Sequence, residues 1–189
     1  LQVLPLVKDV RYGIPSFLGR LPQGIHRGLN NWEGIYSLNG DLARRLQTEW
    51  SKLRAILTSD THYLAFAAER LLDGLGRDRP RDAIVDYTIA LEALLTQSVR
   101  DELRYRFALR GAFMLAALGQ EKRASFQKLL GLYDDRSKIV HGNRADQSTV
   151  TERRVTGEKA LRDIWWWAYQ QDFRSADELA EEIDRKILE

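Results

Sequence analysis

There is no cysteine in this chain, which removes disulfides, thiolate-held metals and a cysteine nucleophile from consideration and makes a cytoplasmic setting the expectation. Histidine is nearly as scarce. His26, His62 and His141 lie far apart, and none has a second histidine or a paired carboxylate at metal-ligand spacing, so no metal or other cofactor is expected. A Gly-rich phosphate loop of the Walker kind is missing as well. No apolar run approaches membrane-spanning length, since 164–169 is brief and flanked by charge. An excess of one charge is also absent: 29 basic residues against 27 acidic leave a net +2, too little for a broad non-specific nucleic-acid surface. Any RNA site must therefore be local. Of the 4 prolines only Pro80 lies beyond residue 22, so the remainder is free to be helical.

What is present fits one domain, because 189 residues can bury a substantial core. The chain starts at Leu1 and its single methionine is Met114, the pattern expected of a fragment whose further domains lie elsewhere. Residues 1–40 hold Pro5, Pro15 and Pro22 together with six glycines from Gly13 to Gly40, and read as an irregular arm or the end of an upstream region. Residues 41–189 read as a helical domain. Leu42, Leu46, Trp50, Leu53 and Leu57 recur at helical spacing over 41–58. Further helices are expected over 62–75, 81–96, 98–119 (opened by Ser98), 121–141 with a break near Gly131, 149–173, and 175–188 (opened by Ser175 with Glu178). The helix over 81–96 is apolar around much of its circumference and should be central. No segment has strand periodicity, so the fold class is all-α, a bundle of about five to seven helices.

The stretch from Leu132 to Asn143 sets Arg136 five residues before His141. An arginine holds phosphate by a charged forked donor set, and a histidine moves protons near neutral pH. Together they suffice for metal-free RNA cleavage with the ribose 2′-hydroxyl as nucleophile. Spacing alone is weak, because 22 arginines and 3 histidines produce such a pair by chance about once, as Arg20 and His26 illustrate. Context favours Arg136 and His141: Gly142 follows where a left-handed residue closes a helix, beside carbonyls that favour a protonated imidazole. On a regular helix the two side chains stand about 140° apart. A site using both needs the helix to end there, or a second copy across a two-fold axis. The plainer reading makes Arg136 an ion-pair partner of Asp134 or Asp135, and His141 a terminal cap.

Four further residues are candidates for phosphate binding or support of the site: Ser137, Asn143, Glu92 and Arg110. Glu92 sits in the apolar helix, where a carboxylate is costly unless paired, and Arg110 or Arg136 could pair with it. The arginines over 100–110 interleave with Tyr105 and Phe107, a pattern that suits single-stranded RNA or a solvated helix face. Trp165, Trp166 and Trp167 cover about 200° of helix, which is expected to carry aromatic surface out of the core and into a dimer interface.

Three blocks taken in order, Ile89 to Leu95 with Glu92 inside, Glu102 to Arg110, and Tyr133 to Gly142 with Arg136-Ser137-Lys138-Ile139-Val140-His141, resemble the Apea-like branch of the HEPN superfamily. The resemblance covers about residues 61–173. It implies a helical bundle that pairs as a homodimer. In many members it also implies a metal-independent endoribonuclease in which Arg/His motifs from two protomers meet at the dimer cleft, commonly in defence or stress-response proteins. Arg136 and His141 match that motif. Ser137 matches more loosely, because the residue after the arginine is commonly Asn, Asp or His. Other members only dimerise, or bind nucleotide or RNA.

Overall fold

The computed structural model describes residues 40–59, 62–97, 101–142 and 146–189. They form seven α-helices and no strand: α1 (Gly40–Leu57), α2 (Tyr63–Leu75), α3 (Pro80–Leu95), α4 (Leu103–Ala117), α5 (Lys122–Val140), α6 (Gln147–Gln171) and α7 (Ala176–Leu188). The arm read over 1–40 lies, apart from Gly40, outside the described residues. No described helix is long and apolar enough to cross a membrane.

Two helices carry the core. Along α3, Ala83, Ile84, Tyr87, Ala90, Leu91, Leu94 and Leu95 are all fully buried, as its all-round apolar pattern requires, and it packs against every helix from α2 to α7. The second is α6, which α2, α3, α4 and α5 all touch. Each fully buried leucine or isoleucine contributes about 2 kcal/mol by leaving water, and Leu161 and Ile164 of α6 are both at 0 % exposure. The enclosure overturns the expectation of surplus aromatic surface. Trp165, Trp166 and Trp167 are all buried within the chain itself, with Trp166 and Tyr169 stacked and the Trp165 indole N–H donating to the Leu64 carbonyl at 2.8 Å.

Local chemistry sets the boundaries. Pro80 opens α3, where a missing N–H costs nothing. Ser98, the expected start of the fourth helix, lies outside the described residues, and the helix that is described starts later. Glu102 stands at φ 55°, a left-handed turn that no continuous helix can pass through, and α4 begins at Leu103. Its far end follows the reading: Gly119 takes φ 83°, with Gly119 N–H on the Ala116 carbonyl and Gln120 N–H on that of Leu115. Asp146, which the pattern left within a loop, caps α6 by accepting from Ser148 and Thr149 N–H. At α7, Ser175 accepts from Glu178 N–H as expected, while the Glu178 carboxylate takes the Arg174 N–H, one residue earlier than in the usual reciprocal box.

Gly131 does not interrupt α5, which runs unbroken from Lys122 to Val140. Its missing side chain makes room for another: a Cβ there would overlap the Arg153 guanidinium, which crosses from α6 to reach Asp135 at 2.9 Å. Gly74 serves the α2–α3 pair in the same way, since a Cβ would run into the Tyr87 ring.

Candidate functional site

The site grows out of the last turns of α5. Tyr133, Arg136 and Ser137 lie there half-buried, and the helix ends at His141. His141 keeps near-helical backbone angles (φ −82°, ψ 9°) and donates its N–H to the Ser137 carbonyl at 3.1 Å, while Gly142 at φ 74° turns the chain away with its N–H on the Ile139 carbonyl. His141 is thus the terminal cap that Gly142 implied. Because the helical path holds through it, the rotation of about 140° between Arg136 and His141 stands within one chain. The His141 ring is exposed and, among the described residues, has no side-chain hydrogen bond or ion pair. Val140 beside it is 55 % exposed.

Arg136 turns inward. It does not pair with its neighbours in sequence, because other cations have taken both carboxylates. Asp134 receives a forked contact from Arg104 at 2.6 and 2.7 Å, and Asp135 is held by Arg153 and Lys138. Arg136 instead reaches Glu92 on α3, Nη2 to Oε2 at 3.4 Å, a long contact for a charged pair. Its Nε is buried with no hydrogen-bond partner among the described residues. The guanidinium is therefore anchored at one corner and has donors to spare.

Glu92 is the costly residue that the apolar surroundings marked. Burial raises its pKa, while the Arg136 charge and the Tyr133 hydroxyl pull the other way. Tyr133, one turn before Arg136, is the residue that sequence reading missed as part of the site. Its ring packs on Phe107 of α4 at 5.3 Å, and its hydroxyl faces the Glu92 carboxylate. Burial, then the nearby carboxylate, raises the phenol pKa. Spacing carried a signal, since Tyr133 and Arg136 are three apart on one helix face and point at the same neighbour.

The other candidates separate from this group. Arg110 is 3 % exposed and fully committed: its Nε and Nη2 fork onto Asp184 of α7 at 2.8 and 2.6 Å, and its Nη1 donates to the Leu95 carbonyl at 2.5 Å. Of the rest of the expected arginine surface, Arg104 forks onto Asp134, Arg106 stands 3.9 to 4.0 Å from Asp184 and Glu102 with its Nε buried and without a hydrogen bond among the described residues, and Arg100 lies outside those residues. Tyr105 is exposed but packs edge-on against Phe126, and Phe107 is fully buried. Asn143 lies outside the described residues. A shallow concavity of about 200 Å³, lined by Gln120, Ser125, Lys128, Thr156 and Lys159 among others, opens near the opposite end of α5.

No family model, curated protein or solved structure matches this chain. Chemically, the α5 terminus offers a half-buried guanidinium with unused donors, a carboxylate that holds it, a phenol that hydrogen-bonds that carboxylate, and a solvent-facing imidazole on the same helix end.

Proposed function

We propose that the chain is a metal-independent endoribonuclease of HEPN type, acting as a homodimer in which the α5 ends of two protomers share one groove. The observation that carries the reading is the state of Arg136: a half-buried guanidinium held by one 3.4 Å contact has Nη donors left to bind an anion. The resemblance of the three blocks around Glu92, Arg104 and Arg136 to the Apea-like branch supports the same assignment, as does the exposed His141.

In this reading the 2′-hydroxyl of a bound ribose attacks the adjacent phosphorus and loses its proton. The P–O2′ bond forms, the P–O5′ bond breaks, and the 5′-oxygen leaves with a proton, giving a 2′,3′-cyclic phosphate and a 5′-hydroxyl. His141 moves the proton as general acid or base, and Arg136 stabilises the charge that grows on the phosphorane-like transition state. Ser137 lines the phosphate. Glu92 holds the guanidinium in place, and Tyr133 holds Glu92. A cytoplasmic defence or stress-response role goes with the same assignment.

A second reading has one observation in its favour: within one chain Arg136 is turned toward Glu92, about 140° from His141. In that reading the chain is a non-catalytic HEPN module for dimerisation or for nucleotide or RNA binding. The two are separated by incubating the purified dimer with RNA, with and without chelator, beside His141→Ala and Arg136→Ala. Catalysis requires cleavage that persists in EDTA, spares an otherwise identical DNA strand, leaves a cyclic phosphate, and falls by about two orders of magnitude or more in each variant. Wild-type rates in His141→Ala, or metal-dependent cleavage that leaves a 5′-phosphate, would overturn it. An absence of cleavage across varied RNAs selects the non-catalytic module.

A further inference from the structure

We propose that His62 is a proton-sensitive latch that holds the first turn of α2 against α6. His62 precedes α2 in an extended conformation, and its Nδ1 accepts the Leu64 N–H at 3.2 Å. A serine or aspartate in that position would cap over a wide range of pH; an imidazole caps only while the accepting nitrogen is free of a proton. Leu64 is gripped at its other end too. Its carbonyl accepts the indole N–H of Trp165, the 6 % exposed tryptophan of α6. One residue of α2 is thus fixed by an acceptor that can titrate and by a donor that cannot.

The surroundings set the direction of the response. Among the described residues, the charge facing His62 is the carboxylate of Asp172, just beyond α6, and Lys52 of α1 already holds it at 2.7 Å. The Tyr63 ring stacks on the imidazole at 5.0 Å and its hydroxyl donates to the Phe173 carbonyl, while Glu178 acts on that phenol from α7. Lys52 also lies over the Tyr169 ring, whose hydroxyl binds Glu49 of α1. These side chains form a clasp joining α1, α2 and the end of α6, and nothing in it offers a protonated His62 an uncommitted carboxylate.

Burial lowers the His62 pKa, with Asp172 opposing more weakly. A folded value below the ordinary 6.5 means that the neutral, capping form is favoured. Its contribution is complete above that value and is lost as pH falls through the window beneath it. Protonation removes the acceptor for Leu64 N–H and places a positive charge at the positive end of the α2 dipole. The first turn then opens, and Trp165 loses its partner.

The test is amide and indole hydrogen exchange by NMR on the whole chain from pH 7.5 to 5.0, corrected for the intrinsic pH dependence of exchange. Protection of the Leu64 amide and the Trp165 indole should fall as pH drops below 6.5, by no more than the roughly tenfold per pH unit that linkage to one proton permits, while Ile164 of α6 stays level. His62→Asn keeps a capping side chain but cannot titrate, so its profile should be flat. Asp172→Asn, which suits the left-handed backbone at φ 61°, removes the charge that favours the imidazolium and should extend the loss to lower pH. A flat wild-type profile, or an unchanged fall in His62→Asn, overturns the latch. So does direct titration of the His62 ring in the wild type at or above 6.5, which depends on no variant.

Discussion

Arg110 and Arg136 reach the same stretch of α3 from neighbouring helices and end in opposite states. Arg110, from α4, spends three donors on Asp184 and the Leu95 carbonyl at 2.5 to 2.8 Å, whereas Arg136, from α5, touches Glu92 at 3.4 Å and leaves its Nε without a partner. A saturated guanidinium has nothing to offer a ligand, and its removal strands what it held. An under-satisfied one contributes little to folding and keeps its capacity for an anion. Composition cannot tell the two apart; the difference is in how many acceptors the fold brings to each.

The sharpest way to break this contrast is to exchange its consequences. Arg110→Ala should destabilise the chain by about 3 kcal/mol, because it leaves a buried carbonyl unpaired and removes packed side-chain atoms. In a domain of this size that lowers the melting temperature by roughly 10 °C. Arg136→Ala should cost under about 1 kcal/mol by the same thermal melt and yet, under the proposed function, lower RNA cleavage by about two orders of magnitude or more; equal destabilisation by both variants would remove the distinction. Arg136→Lys preserves the charge and discards the planar fork, so it should fold normally and still cleave poorly in the RNA assay.

Glu92→Gln sharpens the comparison through pH. The folded pKa of Glu92 is raised, so the wild type takes up that proton more readily when folded than when unfolded. Wild-type stability should therefore improve relative to Glu92→Gln as pH falls from 7 toward 4.5, a trend that denaturant titrations at several pH values will show or refute. The smallest effect is expected at Arg104. Its fork on Asp134 is geometrically better than the Arg136 contact, yet both partners are exposed to solvent, and such pairs are screened. Arg104→Ala should leave the melting curve where it was, and a clear downward shift would show that donor geometry outweighs burial here.

Much of the fold was legible because it depends on local periodicity. The all-round apolar pattern of 81–96 could satisfy itself only at the centre of a bundle, and α3 is there. Gly119 and Gly142 sit where helices end in left-handed turns. The errors came from what lies across space. Three consecutive tryptophans announce their angular spread on α6, but not that four helices surround it, so a surplus was expected where none exists. The fourth helix was expected to run on continuously from Ser98, and the left-handed Glu102 that sets its start at Leu103 has no signature in the sequence. At the candidate site, the need of Glu92 for a cation was readable from its apolar neighbours, yet the choice between Arg110 and Arg136 was not. Asp184, the competitor that claims Arg110, is 74 residues away in the chain. Arg136 likewise became available to Glu92 because Arg104 and Arg153, distant in sequence, had claimed Asp134 and Asp135.

The guanidinium laid over Gly131 bears on how this sequence can change over generations. Positions 131, 135 and 153 form one unit of inheritance: a residue without a side chain, a carboxylate one turn on, and a flat cation from the facing helix. An alanine at 131 would ordinarily be a gain for a helix, by about 1 kcal/mol, but here its methyl would meet the guanidinium, which must shift and loosen its hold on Asp135 to make room. A lineage that first replaced Arg153 with a small neutral residue would open that step, and would leave Asp135 relying on Lys138 alone among its present cations. The value of each substitution thus depends on the order in which they come: the alanine gains its full helical benefit once the cation has left.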